Sequence, residues 1–295
     1  MQKHAITTVI SYCTNDYRFI KKCISEAQIF SDQIIVPVCD HFFDGSKENK
    51  KLLNLTYFEN PQAQFIEYKF YKNKLYYPYK TCRPQSIDWQ HIMHSTSRYI
   101  SYFFLNENTE YILFLDADEI LDGRSFKKWL GEFDYKKFTA LRLGGYDYFR
   151  YPDVRMEYLN YTSLLVNKTA LDPLLLMEEG ERRATFNLMS GKKNPLALLG
   201  KKPMVHHYSW VRTKEEMIKK TETWGHFKDK NWKQLIEEEF AKEHCDYNFF
   251  DIKLVKKALY FDPLKVSSDF NVKMPRYFKN VNKIDRLDIL KKQLR

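Results

Sequence analysis

Tyr111-Ile-Leu-Phe-Leu-Asp-Ala-Asp-Glu-Ile120 is an apolar run that ends abruptly in three acids, Asp116, Asp118 and Glu119. Five apolar residues with aromatic and branched members, closed by acids, predict a buried strand. Its carboxyl end should open into a crevice, where open α/β sheets place their ligands. Two carboxylates two residues apart at such an end suit one hard divalent cation, Mg²⁺ or Mn²⁺, and through it a diphosphate. Short Asp-x-Asp pairs also occur in surface turns; the preceding Leu113-Phe114-Leu115 favours the metal site over the turn.

Outward from this strand, the pattern alternates between strand and helix. Apolar and β-branched runs predict strands over 5–11, 33–38 and 64–70. Helical spacing predicts helices over 17–30, with Phe19, Ile20, Cys23, Ile24 and Ala27 on one face, over 47–55 and over 85–104. Such alternation implies right-handed crossovers and an α/β fold, with a mostly parallel central sheet flanked by helices. The acids of 116–119 would then emerge near its middle. A short helix over 125–130 follows, then strands over 138–143 and 163–167 separated by the aromatic, charged segment 146–161. Strands without long helices between them suggest an antiparallel extension of the sheet, able to wall an acceptor. From Thr213, a plausible N-cap before Glu215 and Glu216, the pattern turns helical. Without an internal repeat or a Gly/Ser/Pro linker, the expectation is one domain over 1–211 with a helical C-terminal extension over 212–295 packed on it.

At 295 residues, with 44% hydrophobic and 16% aromatic residues, the chain can bury a substantial core and is neither disordered nor fibrous. No run of about twenty apolar residues exists to span a bilayer. The start, Met1-Gln-Lys-His-Ala5, leads into a strand rather than an apolar leader. Cys13, Cys23, Cys39, Cys82 and Cys245 are odd in number and lack CxxC spacing, so reduced thiols and a cytoplasmic setting are expected. The net charge of +10 favours polyanionic partners. Much of it lies in the tail 273–295, where Ile284, Leu287, Leu290 and Leu294 recur at helical spacing among the bases. That pattern reads as a solvated helix face or as a foothold on an anionic membrane. Nucleic acid is not expected, for want of a binding motif.

Three segments in order carry a resemblance: Thr8-Val-Ile-Ser-Tyr12, Asp32-Gln-Ile-Ile-Val-Pro-Val-Cys-Asp-His-Phe-Phe-Asp-Gly-Ser-Lys-Glu48, and Thr109-Glu-Tyr-Ile-Leu-Phe-Leu-Asp-Ala-Asp-Glu-Ile120. Over residues 5–168 they resemble the nucleotide-binding half of GT-A-fold glycosyltransferases of the family 2 kind. The resemblance implies transfer of a sugar from a nucleotide-sugar donor, a UDP-sugar favoured, to a glycan or other hydroxyl acceptor, with Mn²⁺ or Mg²⁺ as cofactor. It further implies that Ile10, Ser11, Tyr12 and Asp40 contact base and ribose, while Asp116, Ala117 and Asp118 hold metal and diphosphate. The chain departs at Cys39-Asp-His-Phe-Phe-Asp-Gly-Ser46, where the more usual form has Asp-Asp-Gly-Ser, and Asp44-Gly45-Ser46 reads equally as a turn.

Val205-His-His-Tyr-Ser-Trp-Val-Arg212 is similar to a His-aromatic-Ser-aromatic segment of the glycosyltransferases that add a bisecting N-acetylglucosamine. This second resemblance implies a late histidine that completes the metal site, and an imidazole favours Mn²⁺ over Mg²⁺. Neighbouring strand residues face opposite sides, so one ring enters, and His207 matches the position better than His206. The competing possibility is a packed histidine beside Trp210. Lys219, Lys220 and His226 follow as diphosphate contacts or a solvated face.

An inverting enzyme also needs a carboxylate base, and Glu179, beside Glu178, and Asp147 are the candidates. Arg98 and Arg83 could grip phosphate bidentately or pair with Glu110 or Asp88. The aromatic and basic loop over 70–79 would suit a sugar or base platform. Two alternatives stand beside a transferase. One is a non-catalytic nucleotide- or glycan-binding protein. The other is a nucleotidyltransferase, against which no Gly-rich phosphate loop followed by Arg and Lys lies near the first strand.

Overall fold

The computed structural model describes residues 5–70, 89–177, 185, 188, 197–224, 229–243, 246–267 and 273–285, the side chains of 89–94 excepted. Its first half alternates as expected: β1 (Ile6–Ser11), α1 (Tyr17–Ala27), β2 (Gln33–Cys39), α2 (Lys50–Glu59), β3 (Gln64–Tyr68), α3 (Trp89–Tyr102) and β4 (Tyr111–Asp116). α2 starts at Lys50 because Asn49 caps it, its side chain accepting from the Lys51 and Leu52 amides. β1 is buried at every position, the mark of a strand covered on both faces. Pro37 has no N–H to give, and it lies beyond the last β1 pair, Val9 with Ile35, where β2 pairs only with β3.

The chain continues through β5 (Glu119–Leu121), α4 (Gly123–Glu132), β6 (Ala140–Arg142), β7 (Gly145–Phe149), β8 (Tyr151–Met156), β9 (Leu164–Asn167) and β10 (Val205–Trp210). Then come α5 (Lys214–Thr223), α6 (Trp232–Ala241), β11 (Leu254–Lys256) and β12 (Val281–Ile284). A seven-stranded sheet has the order β12-β3-β2-β1-β4-β9-β6, parallel from β12 to β4, with β9 antiparallel to β4 and β6 antiparallel to β9. The protein is thus α/β, with a mostly parallel central sheet flanked by helices. One face packs on α1 and α4 through Phe19, Ile24 and Phe126, the other on α3 through Tyr99 and Ile100. Each large side chain buried in β4 contributes about 1.5–3 kcal/mol.

Three expectations change. The segment 146–161 is no connection between strands: it holds β7 and β8, members of a second, five-stranded sheet of order β11-β8-β7-β10-β5. Among the described residues the C-terminal region is α-helical only at α5 and α6; β11 pairs with β8, and β12 forms the edge of the first sheet beside β3. Ile284 accordingly lies buried in a strand rather than on a helix face. Strand pairing with distant partners overrides the helical spacing there, while residues 286–295 fall outside the described set. No helix among the described residues is long and apolar enough to cross a membrane.

Candidate active site

The site is built by register. β1 and β4 run side by side to Ser11 opposite Asp116, and the Ala117 amide donates to the Ser11 carbonyl at 3.0 Å, tying the two strand ends together. Beyond Ala117 the chain leaves the first sheet and enters the second as β5, antiparallel to β10, with His207 opposite Glu119. On its other side β10 runs parallel to β7, with His207 opposite Asp147. His207 therefore lies between Glu119 and Asp147, facing the Asp-x-Asp turn. Glu119, fully buried, clamps that turn: it accepts from the Asp116 amide at 3.0 Å and from the Thr162 hydroxyl at 2.5 Å.

Asp118 is buried among cations. Its Oδ2 accepts from Lys220 Nζ at 2.7 Å and Arg212 Nη2 at 3.0 Å, and its Oδ1 faces His207 Nε2 at 3.6 Å. Lys220 also donates to the Ser209 hydroxyl at 2.7 Å, and Arg212 to Asp16 at 2.5 Å. Burial opposes ionisation of Asp118, but Lys220, His207 and Arg212 hold its carboxyl well below the usual range. Lys220 is thus no member of a solvated face. Capped by Thr213 and Glu216 in a reciprocal box, α5 turns Lys220 inward while Lys219 rests over the Phe42 ring at 4.8 Å.

Asp147 accepts from His207 Nδ1 at 2.6 Å, from Asn160 at 2.7 Å and from the Tyr158 hydroxyl. Burial would raise its pKa; these donors, His207 first, lower it. With three donors engaged, Asp147 is placed to hold the His207 ring, and a base role would require it to release one of them. Burial pushes His207 down, yet Asp147 and Asp118 outweigh it and raise its pKa well above the usual value. His206 points the other way: its ring stacks on Tyr260 with centroids 3.8 Å apart, its Nδ1 lies 2.8 Å from the Tyr148 hydroxyl, and burial lowers it to about 4.

The other nominated residues divide. Arg98 pairs with Asp116, Nη2 to Oδ1 at 2.9 Å, rather than with Glu110. Ile10 is buried in the core, and Tyr12 is buried with its hydroxyl 2.8 Å from that of Thr56. Both side chains are packed inward, which leaves the backbone of this strand end as the group open to a nucleotide. Ser11 Oγ lies 3.3 Å from Ser97 Oγ, and Ala117 is a fully buried spacer. Asp40, at the end of β2, accepts from the Phe70 amide at 2.7 Å and lies 2.6 Å from His41 Nδ1, with the side chain 37% exposed. Asp44-Gly45-Ser46 is a turn, in which Asp44 accepts from the Ser46 amide at 2.8 Å and Gly45 takes φ 89°. Glu178, Glu179, Arg83, Asp88, His226 and residues 71–79 fall outside the described set.

Arg212, Asp16, Glu119 and Glu48 carried no role in the sequence reading. Arg212 closes the His-Tyr-Ser-Trp segment, the one local signal for it; Asp16 and Glu48 offer none. Glu48 is buried and accepts from the Thr14 amide at 3.2 Å and from its hydroxyl; burial raises its pKa from 4.5 to about 7. The folded chain therefore binds an extra proton between those values, and this contribution to stability falls as pH rises from about 4.5 to about 7. Asp118 and Asp147, held low, titrate below that window. Glu48→Gln should flatten this stretch of the stability curve by about 3 kcal/mol, read from denaturant midpoints. An unaltered slope would assign the proton elsewhere.

No group of three or more His, Cys, Asp or Glu among the described residues is placed to hold a metal ion. The expected trio of Asp116, Asp118 and His207 is not assembled, since Asp116 faces Arg98. Asp118 with His207 does fit an ion. Asp118 Oδ1 and His207 Nε2, 3.6 Å apart, are the carboxylate and imidazole that would hold a divalent cation there. A ring held at Nδ1 by a carboxylate, with Nε2 toward the site, is the usual support of a ligating histidine.

No family model matches the chain, and no curated protein matches it. Among solved structures it is similar to S. aureus TarS 1-349, with 11% identity, 73% of this chain and 64% of that one covered, and a TM-score of 0.41. It is similar to the glycosyltransferase GlyE of Streptococcus pneumoniae TIGR4 at 14% identity, with 80% and 63% covered and a TM-score of 0.37. The galactosyltransferase LgtC, in complex with donor and acceptor sugar analogs, is 13% identical, with 79% and 95% covered and a TM-score of 0.39. The chain spans less than two thirds of the TarS and GlyE chains. Likenesses at this level carry no weight for its activity, which is read from its own residues.

Proposed function

We propose that the chain is a metal-dependent glycosyltransferase of the GT-A kind that moves a sugar from a nucleoside diphosphate sugar, a UDP-sugar favoured, to the hydroxyl of a glycan or other acceptor. One observation carries this: the acid-rich turn at the end of a central parallel strand is faced by His207 from the second sheet, by Arg212 just beyond β10 and by Lys220 from α5. Carboxylates, an imidazole and cations at such a strand end suit a diphosphate.

Mn²⁺ or Mg²⁺ would be held by Asp118 and His207, with Asp116 close along the chain and diphosphate oxygens and water filling the shell, and would offset charge on the departing diphosphate. Asp147 fixes the His207 ring, Glu119 fixes the turn, and Lys220 supplies a cation within reach of Asp118. Asp40 is the side chain at the second strand end with surface left for a ribose. For inversion Glu179 would be the base.

Hydrolysis of a UDP-sugar panel with Mn²⁺ tests the reading. At least one donor should turn over, and chelation should abolish it. A UDP-induced rise in melting temperature with no donor hydrolysed would instead make the chain a nucleotide-binding protein. That second reading is favoured by the full engagement of Asp147. Cytoplasmic placement and contact of the basic tail with an anionic membrane belong to the same proposal. A chain ending at Asp285 keeps β12 and should hydrolyse donor normally while sedimenting less with anionic vesicles; equal sedimentation would reduce the tail to a solvated segment.

A further inference from the structure

A recess of about 260 Å³ lies along the β8–β11 side of the second sheet, lined by Tyr146, Arg155, Glu157, Tyr158, Leu159 and Lys257 among others. Its charge is unbalanced. Glu157, its carboxylate, is already paired with Lys253 at 3.1 Å. Among the described residues no carboxylate pairs with Arg155 or Lys257. The Arg155 guanidinium carbon lies over the Tyr146 ring, 3.9 Å from its centroid, and its N–H groups can grip a planar or tetrahedral anion. Tyr158 and Leu159 are 42% and 37% exposed, so an apolar surface stands beside the two cations. The volume lies just under that of drug-sized pockets, and it suits one sugar ring.

The recess is coupled to the candidate active site through one side chain. Tyr158, in its wall, donates its hydroxyl to Asp147, which holds His207. A ring resting on Tyr158 is therefore one hydrogen bond from the carboxylate that sets the histidine.

We propose that this recess binds an acceptor saccharide bearing an acidic group, with the anion on Arg155 and Lys257 and the sugar ring against Tyr158 and Leu159. That it is an acceptor rests on the transferase reading; that it is an acidic saccharide rests on the recess alone. The carboxylate of a uronate and the phosphate of a phosphosugar share the required chemistry, and separate probes distinguish them.

NMR titration of the full chain with methyl glucuronide, glucose 6-phosphate, methyl glucoside and inorganic phosphate tests the site. At least one acidic sugar should bind about tenfold or more tighter than the neutral glucoside. Arg155→Met, which keeps an unbranched apolar side chain and removes the charge, should remove most of that preference, and Lys257→Met, an exposed change, part of it. Equal binding of acidic and neutral sugars, or a preference unaltered in both variants, overturns the proposal. Inorganic phosphate binding as tightly as the acidic sugars reduces the recess to an anion patch and overturns the saccharide part. Donor hydrolysis by the unaltered chain is measured alongside. If it is absent while the preference holds and Arg155→Met removes it, the transferase reading fails and the acidic-saccharide site stands.

Discussion

Asp118→Asn should lower stability by about 3–5 kcal/mol and cut donor turnover by about a hundredfold or more. The change keeps the shape of the side chain and removes the charge that Lys220 and Arg212 meet at 2.7 Å and 3.0 Å. Both cations are then left within a site where Asp118 is 5% exposed and Arg212 1%. Arg212 retains Asp16, which places the loss toward the lower end of that range. Denaturant unfolding reads the stability, and calorimetry of UDP with Mn²⁺ reads the site. Undiminished metal-dependent UDP binding in a variant of normal stability would remove Asp118 from the active site. Asp116, whose side chain is 28% exposed, should cost less stability when changed to Asn.

The second large effect separates three neighbours on β7 and β10. His207→Ala removes the Nε2 that faces Asp118, and Mn²⁺ affinity should fall by about a hundredfold. Asp147→Asn leaves the ring in place with a weaker acceptor at Nδ1, and such supporting changes cost about 10–100-fold in metal affinity. His206→Ala opens space between Tyr260 and Tyr148 and should lose about 2–3 kcal/mol of stability with Mn²⁺ affinity unaltered. Electron paramagnetic resonance of free Mn²⁺ measures the affinities, and thermal unfolding separates them from stability. Equal losses of affinity in both histidine variants would indicate a folding defect. A loss confined to His206→Ala would put the wrong ring in the site.

The alternation of β1 to β4 with α1 to α3 was legible because each element repeats its own period locally: buried runs for strands, and Phe19, Ile20, Cys23, Ile24 and Ala27 for α1. The opposite facing of His206 and His207 was legible for the same reason, since a strand alternates by its own geometry. β7 was missed because Gly145-Tyr-Asp-Tyr-Phe149 sets Asp147 beside Phe149 on one face and two tyrosines on the other, with no apolar-polar alternation to mark it. β12 was missed because helical spacing in the tail competes with a pairing to β3, more than two hundred residues away along the chain, that no local pattern announces.

The sequence by itself determined the α/β class, the strand that ends at Asp116 with Asp118 just beyond it, and the opposite facing of the two histidines. These follow from which residues can be buried next to which along a few turns of chain. Only the tertiary structure decided that Asp118 is neutralised by Lys220 and Arg212, that Asp147 pairs with the His207 ring, and that Arg98 belongs to Asp116. Each of these is a partnership between separate elements of the chain. Partners of that kind are chosen by strand register and by the burial of charge, which leaves an ion in the interior stable only beside its opposite.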